Sequence, residues 1–512
     1  MSLPSQLWRW FISGVADPRF LFGTASTVVV YTLARIVYNL HFHPLSKYPG
    51  PRLAAATDLW WAFAGISGRY PWKIEAALQK YGDVVRVAPN ELVFITPQAA
   101  KDIYLAQEKN LELFVQVGYD ALDTGDNGIT SEPNPVRHRE IAKKLAPAFS
   151  TRNLKAKQVI ILKHINMFIQ RLKEAGAGER GAEMQTWTDR LGLDLSADMV
   201  YGRDMGQVRD MKDSIFLSSS LKLNLFLTMS QVTRKFRLYF LPYLTIPFSV
   251  WFVMPQLISM HSQDFKQRIE RRGTTEHLDY FETLMPYDKP VPTDKKDIYH
   301  LENIGGQLLL ASWQPLANQF YSLIFFILRE PTRYAKLVKE IRGEFSAAED
   351  INIESTSTLR YLGACIQEGL RLHQDTVDGL PRISPGAVVD GHFIPRGATC
   401  QISYFAASRS PRYFADPLKF RPERWLPHDD ARYDVRYKDD DLKATKPFSQ
   451  GLRGCPGGAI AVTVIRLFIA RVTWEFDLEE VSGQDKLDFD KDFKFMTFWE
   501  RPQYRVLFKP AR

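Results

Sequence analysis

The residue with the clearest chemical potential is Cys455, which lies in the stretch Phe-Ser-Gln-Gly-Leu-Arg-Gly-Cys-Pro-Gly-Gly near the C-terminus. Gly451 and Gly457 let the backbone turn tightly and approach a flat ligand closely, because they carry no Cβ. Arg453 can bind a carboxylate through two hydrogen bonds. The apolar run at 459–472 predicts a buried helix, whose N-terminus would stabilise a nearby thiolate. The stretch therefore predicts one thiolate presented to a flat, anionic ligand.

Five positions of this stretch match the spacing Phe-x-x-Gly-x-Arg-x-Cys-x-Gly. They are Phe448, Gly451, Arg453, Cys455 and Gly457. This spacing resembles the haem-binding signature of the cytochrome P450 family. The resemblance implies a haem b group whose iron takes the Cys455 thiolate as its axial ligand, an arrangement that favours O–O cleavage.

Two other roles for Cys455 are weaker. A lone cysteine is most often buried and inert, but the match of the whole stretch outweighs that expectation. A structural zinc site needs about four ligands, and no second Cys or His lies at finger-like spacing from Cys455.

Two further motifs precede the cysteine stretch in the order that the family has. Glu368 and Arg371 are an i, i+3 pair on a predicted helix, which alone is a weak signal because such pairs are usually solvated. The string Phe-Arg-Pro-Glu-Arg-Trp, in which Arg424 is the second arginine, lies between this helix and the cysteine stretch. Together, Glu368, Arg371 and Arg424 resemble the charged triad that braces the family's cysteine loop, a structural role in which buried charges must be paired.

Two basic residues resemble the family's contacts to the haem propionates. Arg382 follows Leu-Pro in the segment that supplies such an arginine, and His138 opens a helix that supplies an aromatic residue or a histidine. The family's arginine four residues after His138 is replaced by Ala142, so that either Lys143 substitutes or the contact is missing. An ordinary exposed helix residue is an equally good interpretation of His138.

The long helix predicted at 297–328 departs from the family. The oxygen-activating motif falls on Ala-Ser-Trp-Gln-Pro, with Gln314 and Pro315 in place of the acid and the threonine that relay protons. Neither an amide nor a proline can act as a general acid, and Pro315 should kink the helix because it removes a hydrogen bond. The candidate proton sources are Ser312, a water held by Gln314, or a hydroxyl of the substrate.

Composition limits the class of protein. The chain has 512 residues, 45% of them hydrophobic, and a formal net charge of +8. These values favour one large catalytic domain with a basic face over a nucleic-acid-binding protein. Its three cysteines give no disulfide framework, as expected for a fold in a reducing compartment.

The chain is predicted to divide into an N-terminal segment (1–19), a membrane anchor helix (20–40), a proline-rich hinge (41–52) and a haem-thiolate catalytic domain (53–512). An apolar run of ~20 residues can span a bilayer. A signal peptide is a weaker alternative, since no clear small-residue cleavage site follows the run. The anchor and hinge resemble those of endoplasmic-reticulum members of the family, which implies a single-pass anchor and a cytosolic catalytic domain.

The periodicity of the chain predicts a mainly α fold with small peripheral β-sheets. Apolar residues recur at helical spacing over most of it, and strand-like runs occur at 83–96 and 388–401. The resemblance puts the haem between the long oxygen-side helix and the cysteine-side helix. Substrate-contacting residues are expected in loops such as 111–130 and 218–247, and the acidic run 439–441 is interpreted as a solvated loop.

The implied reaction is hydroxylation of a lipophilic small molecule with dioxygen and NADPH, in which the cofactor supplies the difficult chemistry. The implied partners are NADPH-cytochrome P450 reductase and a membrane. The region 379–425 looks like fungal enzymes of specialised metabolism, including trichothecene-type hydroxylases. Because of Gln314 and Pro315, two alternatives stay open: ring formation, coupling, desaturation or rearrangement without hydroxylation, and a haem-binding sensor without turnover.

Overall fold

The computed structural model describes residues 18–117, 126–175, 178, 180–238, 241, 248–274, 277–377 and 379–511. Most of them are helical. The α-helices are α1 (Pro18–Val37), α2 (Arg52–Ala56), α3 (Leu59–Ile66), α4 (Tyr70–Tyr81), α5 (Pro97–Tyr104), α6 (Pro135–Leu145), α7 (Thr151–Ala156), α8 (Gln158–Ala175), α9 (Met184–Tyr201), α10 (Ile215–Lys222), α11 (Asn224–Lys235), α12 (Phe248–Glu270), α13 (Tyr280–Leu284), α14 (Lys295–Leu328), α15 (Pro331–Glu344), α16 (Ile353–Ser357), α17 (Arg360–Leu372), α18 (Tyr404–Ser408), α19 (Gly458–Glu475) and α20 (Phe489–Asp492).

The β-strands are short and form several small sheets. They are β1 (Val84–Ala88), β2 (Glu91–Phe94), β3 (Gln107–Glu108), β4 (Leu111–Glu112), β5 (Val115–Gln116), β6 (Ala182–Glu183), β7 (Arg382–Ile383), β8 (Ala387–Val389), β9 (His392–Ile394), β10 (Thr399–Ile402), β11 (Phe476–Glu480), β12 (Lys494–Phe495), β13 (Trp499–Glu500) and β14 (Arg505–Pro510). The largest sheet has five strands in the order β1-β2-β10-β7-β5. The mainly α fold with small peripheral sheets is therefore confirmed.

In the five-stranded sheet, distant parts of the chain lie side by side. Strands β1 and β2 lie within the predicted strand-like run 83–96 and form an antiparallel pair, with Val85 opposite Val93. Strand β10 runs parallel to β2 and puts Cys400 opposite Leu92. These strands are buried on both faces, as expected where helices cover a sheet.

Helix α14 passes through the centre of the helical part. Asp294 caps it, because its Oδ1 accepts a hydrogen bond from the backbone N–H of Lys296 at 3.0 Å. Every residue from 316 to 325 is buried, which is typical of a helix with neighbours on all sides. Phe320 packs against Phe468 of α19, with ring centroids 4.2 Å apart. The two helices expected to flank the haem thus share one core.

Helix α1 covers most of the predicted anchor. Among the residues that the structure describes, no helix combines the length and the hydropathy that a membrane span requires. The physical reason lies in the sequence of α1, where small and polar residues such as Gly23, Thr27 and Thr32, together with Arg35, dilute the apolar ones. The single-pass anchor at 20–40 is therefore not supported.

The described part of the region 218–247 is mostly helical and not a loop, because it contains the end of α10 and all of α11, in which Ser219 and Val232 are buried. The helix α14 runs unbroken through Pro315, and the kink at this residue stays a prediction. Residues 118–125, which belong to the expected substrate loop at 111–130, lie outside the described residues.

Candidate active site

The cysteine stretch forms a tight loop directly before α19. A single 3₁₀ turn spans Gly451–Arg453, and the backbone N–H of Cys455 donates to the carbonyl oxygen of Phe448 at 2.8 Å. Cys455 has exposed surface, whereas Cys365 and Cys400 are buried. Protein atoms nevertheless surround its sulfur closely enough that burial raises the pKa of the Cys455 thiol, against hydrogen bonds from backbone N–H groups. The sulfur therefore borders accessible space deep inside the protein.

Glycine is required at one point of this loop and leaves open space at a second. Gly451 has φ +79°, and a Cβ there would collide with the carbonyl oxygen of Tyr104. A Cβ at Gly457 would lie 3.8 Å from the sulfur of Cys455 and 3.8 Å from Phe149. It would project into the space beside the sulfur.

The fold brings Glu368, Arg371 and Arg424 together. Nε and Nη2 of Arg371 each donate to one oxygen of Glu368, both at 2.8 Å. Nε of Arg424 donates to the same carboxylate at 3.3 Å, and all three side chains are buried completely. The Trp425 indole N–H completes the set at 2.9 Å. The carboxylate is fully satisfied, as a buried charge requires.

The interpretation of the acidic run 439–441 as a solvated loop is wrong for its central residue. The Asp440 side chain is buried beside Arg424, with which it forms an ion pair. Its other oxygen accepts a hydrogen bond from the backbone N–H of Ala415 at 2.7 Å. The local sequence carries no sign of this pairing, because Arg424 is placed by a separate turn at Pro422–Trp425.

Three of the predicted cofactor-binding residues, His138, Arg382 and Arg453, lie within electrostatic reach of one another. Burial, together with the charges of Arg453 and Arg382, lowers the pKa of His138 to about 4, against the opposing effect of Glu112. Nε of Arg453 donates to Glu112 at 2.6 Å. Nη1 of Arg382 donates to the carbonyl oxygen of Leu380 at 2.8 Å, and no described carboxylate pairs with this guanidinium.

His138 is buried, so that its interpretation as an exposed helix residue is wrong. Lys143, the other candidate on α6, is exposed to solvent. Glu112, the partner of Arg453, is a residue that the sequence did not single out. It lies far from the cysteine loop along the chain, and nothing in its own neighbourhood marks it.

On α14, the structure separates the two predicted catalytic residues by their bonding. The Ser312 hydroxyl donates to the carbonyl oxygen of Leu308 at 2.6 Å. Gln314 is buried, and its Oε1 has no hydrogen-bond partner among the described residues. Trp313 is buried in the core beside Phe216, with ring centroids 6.1 Å apart. Gln314 thus presents a buried acceptor without a donor.

One turn further along α14, Asn318 holds an acid that the sequence did not single out. Its Nδ2 donates to Oδ1 of Asp375 at 2.5 Å. Burial raises the pKa of Asp375 to about 6, against the effects of Asn318 and Arg501. The feature of the sequence that could have singled out Asp375 is its position, four residues after Arg371 of the Glu368–Arg371 motif.

Comparison with known proteins decides the family. The family described as Cytochrome P450 matches residues 57–508. The chain belongs to this family. It is 42% identical over 488 residues to Cytochrome P450 monooxygenase TwmD of Talaromyces wortmannii, with 94% of each chain covered. It is 35% identical over 480 residues to Cytochrome P450 monooxygenase poxC of Penicillium oxalicum, with 94% of this chain and 92% of the relative covered.

A third relative, Cytochrome P450 monooxygenase btcC of Colletotrichum orbiculare, is 33% identical over 488 residues and covers 94% of this chain. These relatives are fungal cytochrome P450 monooxygenases. The protein is accordingly an oxygen-incorporating oxidoreductase, and the alternative of a sensor without turnover has no support in the comparisons.

The residues at the site fit the haem that the cytochrome P450 family implies. A thiol borders interior space at Cys455, which is the ligand chemistry that a haem-thiolate iron needs. The side chains of Arg382 and Arg453 are buried within electrostatic reach of each other. Among the described residues, the carboxylate of Glu112 pairs with Arg453, and none pairs with Arg382. A flat dianionic group would supply the charge that these buried guanidinium groups lack.

Proposed function

We propose that this cytochrome P450 is a haem-thiolate monooxygenase that hydroxylates a lipophilic intermediate of fungal secondary metabolism. The observation that carries the proposal is the Cys455 loop, with its sulfur beside interior space and two buried arginines nearby. Bound haem would supply dioxygen activation, using two electrons that NADPH provides through NADPH-cytochrome P450 reductase. The catalytic domain is proposed to span residues 53–512, joined by the hinge 41–52 to the preceding segments.

The residues of the loop and its surroundings are proposed to hold the cofactor. Cys455 would be the axial ligand, and the packing of Phe448 and the open backbone of Gly451 and Gly457 would shape its loop. Arg382, Arg453 and His138 would face the propionate groups. The buried set formed by Glu368, Arg371 and Arg424 would keep the loop in place without contact to the reacting atoms.

The proposed reductase surface is the outer face of α6. Arg137, Arg139, Lys143 and Lys144 are exposed there, while His138 on the inner face is buried near Arg453. A cationic face on this side favours an acidic electron-transfer partner. The exposed apolar side chains of Leu59 and Phe63 on α3 favour association with the endoplasmic-reticulum membrane surface.

The first test is the mass of the product formed under oxygen-18 gas. A fungal strain that expresses the gene is compared with the same strain lacking it, and the metabolite that differs is analysed. One heavy oxygen in the product supports hydroxylation. No difference in any metabolite between the two strains would contradict the proposed function.

A second candidate function is an oxidation without oxygen insertion, such as ring formation, coupling, desaturation or rearrangement. Gln314 and Pro315 favour it, because neither side chain can release a proton. Under this candidate, the product would have lost hydrogen and would carry no heavy oxygen. The same oxygen-18 experiment therefore separates the two reactions.

A further inference from the structure

We propose that the Asp375 carboxyl is the proton donor that replaces the missing acid and threonine of α14, and that Asn318 holds it in position. The inference rests on the proposed function, because a monooxygenase consumes protons. For each substrate RH, one O2, two electrons and two protons give ROH and H2O. A proton that leaves Asp375 ends in that water molecule, and bulk solvent replaces it on the carboxylate.

Two hydrogen-bond acceptors on α14 are buried and unpaired among the described residues. Gln314 and Asn318 are four residues apart, so that their side chains lie on one face of the helix. Gln314 Oε1 and Asn318 Oδ1 are both buried without a hydrogen-bond partner among the described residues. Buried acceptors in proteins are almost always paired with a donor. This face of α14 is therefore built to receive hydrogen bonds from a group that carries protons.

Asp375 lies next to this face of α14 and can carry a proton. The amide of Asn318 fixes the Asp375 carboxyl at 2.5 Å. The residue keeps some accessible surface, although protein atoms enclose it closely enough for burial to raise its pKa to about 6. Cys455 shows the same combination of accessible surface and burial. Asp375 also contributes to the raised pKa of the Cys455 thiol, which puts the two groups within electrostatic reach.

The charged groups around Asp375 leave it able to titrate near neutral pH. Arg501 lowers its pKa from one side, but this guanidinium is already paired with Asp189 at 2.6 Å. His373 is uncharged, because burial and Arg501 lower its pKa to about 3. Besides burial, Asp375 raises the pKa of the Cys455 thiol, and a thiolate there would in turn favour the protonated carboxyl. A general acid is most effective when its pKa is close to the working pH.

The other candidate proton donors on α14 are poorer than Asp375. The hydroxyl proton of Ser312 is bonded to the backbone of α14 at 2.6 Å, and Gln314 has no acidic proton. Pro315 has no N–H, so that the carbonyl oxygen of Ala311 lacks its usual helix donor and becomes one more acceptor. The oxygens of Gln314 and Ala311 accept hydrogen bonds and the Ser312 hydroxyl keeps its proton, whereas Asp375 can release one.

The test uses the complete holoenzyme with Asp375→Asn, Asp375→Glu and Asn318→Ala, and Asp189→Asn as the control. Asp189 is a second buried aspartate beside Arg501, so its variant reproduces the loss of a buried carboxylate at a different place. Each variant is expressed in the strain that lacks the gene. Haem content, the amount of the oxygen-18 product, and the solvent deuterium isotope effect on its formation are measured. Infrared difference spectra record the protonated carboxyl band against pH.

We expect Asp375→Asn to bind haem normally and to lower product formation about 100-fold, the scale of a lost general acid. Asp375→Glu should restore part of it, and Asp189→Asn should leave the isotope effect unchanged. A carboxyl band that titrates near the pKa of about 6 should disappear in Asp375→Asn. The inference is overturned when the wild type forms product and Asp375→Asn forms as much with the same isotope effect. A wild type without product overturns the proposed function and this inference together.

Discussion

Arg371 and Glu368 form a two-point ion pair inside the protein, with both bonds 2.8 Å long and both side chains without exposed surface. The same carboxylate receives Arg424 and the indole of Trp425. Nη1 of Arg371 also bonds to the carbonyl oxygens of Pro417, at 2.7 Å, and Ser408. Helix α17 is thereby tied to the segment that leads into the cysteine loop.

Glu368→Gln should therefore destabilise the protein strongly. It leaves two buried guanidinium groups short of charge, a change that costs about 3–5 kcal/mol in comparable buried pairs. Denaturant unfolding measures the loss of free energy, and the ratio of haem to protein measures the effect on the loop. We expect both to fall.

The control for this variant is Glu174→Gln. Glu174 and Arg171 form the same i, i+3 pair, but their side chains are exposed by 46% and 27%. An exposed helix pair contributes about 0.2–0.5 kcal/mol. Equal losses of stability in the two variants would contradict the proposed brace.

Gly451→Ala and Gly391→Ala separate a collision from a strained backbone. Their φ angles are nearly equal, +79° and +78°. A Cβ at Gly391 meets nothing within 4 Å, whereas one at Gly451 meets Tyr104. Gly391→Ala should cost about 1 kcal/mol from backbone strain alone. Gly451→Ala should lose more unfolding free energy than Gly391→Ala and should also bind less haem. Unfolding curves measure the first effect and haem absorbance the second. Equal losses of unfolding free energy would mean that the loop moves to make room for the Cβ.

Cys455→Ser should abolish the thiolate signature in the absorbance spectrum of the reduced carbon monoxide complex. Oxygen replaces sulfur as the available ligand, and the electron donation that a thiolate provides is lost. Cys365→Ala is the control, because Cys365 is buried in α17. The control should keep the thiolate signature, and its loss there would point to an unspecific effect on folding.

Restoring the family's residues tests the second candidate function. The double variant Gln314→Asp, Pro315→Thr adds an acid and a hydroxyl to α14. If the wild type avoids oxygen insertion because it lacks them, the variant should form oxygen-18-labelled product in place of the unlabelled one. Product analysis by mass spectrometry detects the change, and the two single variants show which position matters. An unchanged product distribution would speak against a role for this departure.

Asp375→Asn should also change how stability depends on pH. The pKa of Asp375 is raised from 3.8 to about 6 in the folded protein. The folded state then binds more protons than the unfolded state between about pH 4 and 6, so its unfolding free energy decreases as pH rises through that range. At pH 7 the buried carboxylate costs about 3 kcal/mol. In Asp375→Asn, the unfolding free energy should not show this decrease with pH. Denaturant unfolding at a series of pH values measures it, and parallel pH curves for the wild type and the variant would contradict the raised pKa of Asp375.

Local patterns predicted those parts of the site whose residues are close in sequence. The course of α14 follows from its periodicity, and the cysteine loop and the Glu368–Arg371 pair follow from their resemblance to the family's motifs. The partners supplied by tertiary packing could not be predicted. Glu112 reaches Arg453 across most of the chain, and Asp440 meets Arg424 because two turns come together. The small and polar residues that dilute α1 are visible in the sequence, and they outweigh the length of its apolar run.

The parallel pairing of β2 with β10 also governs the order in which the chain can fold. Thr399 of β10 pairs with Glu91 of β2. The short strand β6 likewise pairs with a strand that is synthesised much later, β14, with Val506 opposite Ala182. During synthesis, β2 therefore leaves the ribosome long before its neighbour exists, with one row of backbone groups unpaired. Such an open edge is where chains associate wrongly. Chains truncated before residue 399 should consequently aggregate through their N-terminal hairpin, even though every residue of that hairpin is intact.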